Sequence, residues 1–109
     1  MEAVAAHIIV EKFGTYSTTS NFPTLLGQAF YALGMATSQD KKIAGEHPRK
    51  EIERNLYDLA CYINRLRNKQ GTGHGRPWIP DLSDDEAKEA IQLIGLISDK
   101  MLRKLKESK

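Results

Sequence analysis

The apolar and polar positions read as mostly helical, with no internal repeat and no low-complexity segment. Glu2–Phe13 reads as a first helix closed by Gly14, although its Ile8-Ile9-Val10 core also fits a short strand. Residues 15–21 form a polar loop rich in Ser and Thr. Pro23 suits the first turn of a second helix, after the capping-type residues Ser20 and Asn21. Leu25, Leu26, Ala29, Phe30 and Leu33 then share one face. Gly27 and Gly34, seven apart, fall on one side of that helix and point to a close helix–helix approach, at about 1 kcal/mol for each interior glycine. Residues 38–45 connect to the next element.

Pro48 starts a third helix, in which Ile52, Leu56, Leu59, Ala60, Ile63 and Leu66 keep a helical spacing. Lys50, Glu51, Glu53, Arg54 and Asp58 are expected on its opposite, polar side. That helix ends near residues 68–70, because Gly71 and Gly73 follow, and Pro77 and Pro80 keep the linker extended. A fourth helix opens on Ser83 with Glu86 three residues on, a capping-box pattern, and Asp84 and Asp85 add the negative charge its dipole favours. Its expected buried stripe is Ala87, Ala90, Ile91, Ile94, Ile97, Met101, Leu102 and Leu105. The predicted fold is all-α: one domain over residues 1–109, an up-and-down bundle of about four helices.

Composition narrows this picture. A chain of 109 residues holds one compact domain, and an apolar share of 40% is lean enough for an oligomer to cover part of the surface. Lys and Arg exceed Asp and Glu only by 16 to 14, so global charge does not announce a nucleic-acid binder. The basic residues are clustered, however: Arg65, Arg67, Lys69 and Arg76 in one group, Lys100, Arg103, Lys104, Lys106 and Lys109 in another. Cys61 is the single cysteine, so no intrachain disulfide forms and a reducing, cytoplasmic setting is expected, with a buried inert thiol. No apolar run is long enough to span a membrane, and residues 1–10 lack the basic start of a signal peptide.

The chemistry concentrates in Arg67-Asn68-Lys69-Gln70-Gly71-Thr72-Gly73-His74-Gly75-Arg76. Arginine forks onto phosphate, histidine moves protons near neutral pH, and glycines let the backbone bend close to a ligand. Cutting a phosphodiester without a metal needs a base or acid, for which His74 is suited, and stabilisation of the phosphorane charge, for which Arg67 is suited. Asn68 would orient His74 or bond the phosphate, while Lys69 and Arg76 would hold neighbouring phosphates. One copy of this set is thin, and two copies facing across a dimer would make a credible site. The plainer account is also open: cations at a helix C-terminus, a solvated histidine, and cap and turn glycines.

Other candidates are weaker. His7, His47 and Cys61 have no partners at metal-ligand spacing, so no metal is expected, and His47 before Pro48 reads as a helix-entry residue. Capping accounts for Asp84-Asp85-Glu86. Trp78 between Pro77 and Pro80 would pin a loop onto the bundle or stack on a base. The basic end over residues 100–109 suits a solvated helix end as well as RNA phosphates.

The run from Leu66 to Gly75 resembles the signature of the abortive-infection-protein C-terminal domain family of the HEPN superfamily, whose hallmark is an arginine, a polar residue and a histidine a few positions on. Six residues separate Arg67 from His74, Asn68 is the polar residue, and Gly-Thr-Gly-His-Gly is the more specific part. The resemblance implies a helical homodimer with a metal-independent endoribonuclease site at the dimer cleft, in prokaryotic anti-phage or toxin–antitoxin systems. It makes Arg67 and His74 the catalytic pair with Asn68 as helper and requires no cofactor, while Lys69, Thr72 and Arg76 are the RNA-binding residues expected beside them. Glu11 stands where some members place an acidic residue on an early helix. The implied partners are RNA, a second copy and an antitoxin or larger effector protein. The alternative is a non-catalytic helical module that dimerises or binds RNA or a partner.

Overall fold

A computed structural model describes residues 1–17, 20–69 (backbone alone for 67–69) and 83–108. Its helices are α1 (Glu2–Phe13), α2 (Phe22–Ala32), α3 (Arg49–Lys69) and α4 (Asp84–Glu107), with no strand among the described residues. The Ile8-Ile9-Val10 run is helical: Ile8 and Ile9 are buried, so packing decides between the two states that the local sequence allowed. α1 packs against α2 and α4, and α3 packs against α2 and α4, which closes a ring around one core. Ile8, Leu26, Phe30, Ile97 and Met101 are fully buried at its centre, with Tyr57 set edge-on to Phe30 at 5.6 Å.

The helix ends follow local chemistry. α1 stops at Gly14, whose φ of 87° is left-handed and whose N–H donates to the Val10 carbonyl. The Asn21 side chain caps α2 by accepting from the Thr24 N–H at 3.0 Å, and Pro23 occupies the first turn. At the other end the Gly34 N–H donates to the Tyr31 carbonyl and the Met35 N–H to the Phe30 carbonyl, a Schellman closure with Gly34 at φ 71°. Gly34 is therefore a terminator rather than the second glycine of a helix face. Gly27 does face α3, but a Cβ there would lie 3.7 Å from the Tyr57 hydroxyl, an ordinary contact. The two-glycine close approach is thus corrected on both counts. Ser83 and Glu86 form the capping box of α4 in both directions.

α3 departs from its predicted face. Ile52 is 58% exposed and Leu56, Leu59 and Leu66 are half-buried, whereas Glu53 and Arg54, expected on the polar side, are 2% and 6% exposed. The cause is the segment 33–48, which folds back over the first turns of α3. The Glu53 carboxylate accepts from the buried Ala36 N–H at 2.9 Å and pairs with Lys50 at 3.2 Å. Lys50 in turn donates to the Gly34 carbonyl at 2.8 Å. Arg54 Nη2 donates to both oxygens of Glu46 at 3.0 Å. Buried charges persist only when paired in this way. The hydrophobic stripe therefore rotates toward Glu53, Tyr57 and Ala60. On α4 the core takes Ala90, Ile97, Met101 and Leu105, while Ile91 and Leu102 of the predicted stripe are exposed. No helix among the described residues is long and apolar enough to cross a membrane.

Candidate functional site

The last turns of α3 carry the N-terminal half of the candidate site. Tyr57, Ala60 and Ile63 are buried at successive turns, and they fix the register in which the helix reaches Arg67, Asn68 and Lys69. The backbone of these three residues is helical to Lys69, which matches the predicted end. Their side chains, and all of Thr72, His74, Arg76 and Trp78, lie outside the described residues. Two residues before Arg67, the Arg65 guanidinium lies 4.5 Å above the Tyr62 ring. Both residues are exposed, and such a stack is worth about 0.5–1 kcal/mol. It leaves a further oriented cation on the helix that leads into the motif.

The remaining candidates resolve into structural roles. The Tyr57 hydroxyl donates to the Pro23 carbonyl at 2.8 Å and clamps α3 to α2, and burial pushes its pKa up to about 12. Burial likewise raises the Cys61 thiol above its ordinary pKa, with Tyr57 hydrogen bonding in partial opposition, so the half-buried thiol is a poor nucleophile. His47 Nδ1 accepts from the Arg49 N–H at 3.1 Å, the helix-entry role. The hydrogen bond from the Ser83 backbone holds the Glu86 carboxyl below its usual pKa, as capping requires. Glu11 is exposed on α1. Among the described residues no group of three or more His, Cys, Asp or Glu is arranged to hold a metal ion.

Sequence reasoning missed Glu53 and Arg54 as buried groups. The available signal was slight: Tyr57 and Ala60 lie four and seven residues after Glu53 and extend its face as an apolar stripe. Arg54 Nε is buried without a hydrogen-bond partner among the described residues, while Glu46, held mainly by the Arg54 hydrogen bond, has its pKa lowered.

A family model described as a HEPN-like domain matches residues 1–103. The chain belongs to the HEPN-like domain family. This agrees with the resemblance carried by residues 66–75, which fall inside the matched range together with α1, α2, α3 and most of α4. No curated protein and no solved structure matches the chain. Membership of the HEPN-like family gives the four-helix arrangement its fold name and sets the Arg67-Asn68-x5-His74 pattern in a family context.

Proposed function

We propose that this HEPN-like domain is a metal-independent endoribonuclease that works as a homodimer in the prokaryotic cytoplasm, in anti-phage defence or a toxin–antitoxin pair. The observation that carries this reading is the Arg67-Asn68-Lys69 end of a well-anchored helix running into Gly71-Thr72-Gly73-His74-Gly75 inside a HEPN-like chain. His74 takes the proton of the 2′-hydroxyl or returns one to the leaving 5′-oxygen. Arg67 stabilises the charge that builds on the non-bridging oxygens. Asn68 orients the histidine or bonds the phosphate, and Lys69, Thr72 and Arg76 hold the flanking RNA. The attacking nucleophile is the RNA's own 2′-oxygen, so the products are a 2′,3′-cyclic phosphate and a 5′-hydroxyl.

Exposed apolar side chains supply a second reading. Ile52 on α3 and Ile91, Leu96 and Leu102 on α4 are all at least 41% exposed. Such surface favours association, either with a second copy that completes the nuclease or with an antitoxin or larger effector that the module merely binds. Expression in a bacterial host separates the two. A nuclease arrests growth and fragments cellular RNA, and His74→Ala at equal protein level relieves both. Arrest that persists in His74→Ala assigns the effect to binding.

A further inference from the structure

At the end of α3 opposite Arg67, a groove of about 230 Å³ lies between the first turns of α3 and the last turns of α4. Arg49 and Glu53 line it from α3, and Lys100, Arg103, Lys104 and Glu107 from α4. Its two carboxylates, Glu53 and Glu107, are outnumbered by the four cations Arg49, Lys100, Arg103 and Lys104. Glu53 is engaged by the Ala36 N–H and Lys50, and Arg103 pairs with Asp99 at 3.0 Å. Arg49, Lys100 and Lys104 make no ion pair among the described residues. The helix dipole explains cations at the end of α4 but not Arg49, which stands in the first turn of α3, where a cation is disfavoured and an anion favoured. A side chain that breaks the local rule without a partner points to a ligand. The groove holds no aromatic ring and is smaller than the roughly 300–1,000 Å³ of a small-molecule pocket, so it suits a phosphate group rather than a base.

We infer that this groove is a second RNA-backbone site, at the end of α3 opposite Arg67, which holds a phosphate of the same RNA through Arg49, Lys100 and Lys104. It rests on the reading that RNA is the ligand. Eighteen helical residues separate Arg49 from Arg67, about 27 Å along α3. An RNA that reaches both points must bridge that distance along its backbone. The nearly balanced net charge then ceases to be a puzzle, because affinity comes from two localised patches rather than a general field.

The test is fluorescence anisotropy with a labelled RNA hairpin longer than this span and with a five-nucleotide RNA, in the His74→Ala background so that the RNA stays whole. Arg49→Ala/Lys100→Ala/Lys104→Ala is compared with the charge-matched Lys12→Ala/Lys41→Ala/Lys88→Ala, whose sites lie outside the groove. The groove variant weakens hairpin binding tenfold or more. It also flattens the dependence of log affinity on log salt by about 1, since one lost phosphate contact removes about 0.7–0.9. The short RNA shows no difference, and Arg49→Lys/Lys100→Arg/Lys104→Arg keeps hairpin affinity. Equal losses in the groove and control variants would overturn the site, and so would a loss in the charge-retaining variant as large as in the alanine one. Because binding is read rather than cutting, a protein that binds through the groove yet never cleaves removes the nuclease reading and leaves this one standing.

Discussion

Glu53 is the residue whose removal should cost this fold most for its size. Its carboxylate is 2% exposed and accepts from the N–H of Ala36, itself 7% exposed, at 2.9 Å. Glu53→Ala leaves that buried donor without a partner, at about 1–3 kcal/mol. It also removes the pairing with the partly exposed Lys50, worth well under 1 kcal/mol, and opens a small void. The total is about 3 kcal/mol. Glu53→Gln keeps an oxygen for Ala36 and gives up only the charge, so it should cost about 1 kcal/mol. With a urea slope of about 2 kcal/mol/M, the alanine variant lowers the unfolding midpoint by roughly 1.5 M, and the glutamine variant by about a third of that. Circular dichroism at fixed protein concentration reads both, since any self-association would make stability concentration-dependent. Equal costs for the two variants, or an alanine variant within about 0.5 kcal/mol of wild type, would refute the idea that Glu53 holds segment 33–48 through the Ala36 N–H.

Gly27→Ala should stabilise the chain by about 0.5–1 kcal/mol in the same assay, because the new methyl meets Tyr57 only at 3.7 Å while the helix loses a glycine; destabilisation would mean that α2 and α3 pack closer than this. Glu86 has a lowered carboxyl pKa, so its share of stability is present above the ordinary carboxyl range and is lost as pH falls through the lowered value. Glu86→Gln keeps the bond to the Ser83 N–H but does not titrate, so the gap between the two proteins' midpoints should narrow from pH 6 to pH 3, and a constant gap would contradict the assignment.

Most of the fold was legible because its signals are local. Gly14, Asn21, Ser83 and Glu86 end or start helices through bonds spanning a few residues. The misreadings came from contacts that sequence spacing does not encode. Gly34 lies at helical spacing from Gly27 yet terminates α2, and the burial of Glu53 and Arg54 depends on a loop that returns from 17 to 8 residues away. Ile91 and Leu102 carry the same period as the core of α4, but they sit to one side of the face that packs. The site stands differently. Arg67 and His74 are marked by a glycine-rich motif and a family match, which are sequence signals, and residues 70–82 lie outside the described structure.

End-labelled RNA incubated with the purified protein in EDTA tests the central claim most directly, with Arg67→Ala and His74→Ala in parallel and the product termini identified. The account predicts cleavage by the wild type, leaving 2′,3′-cyclic phosphate and 5′-hydroxyl ends, and loss of cleavage in both variants. An intact RNA, or cleavage that continues unchanged when His74 is replaced, would contradict it.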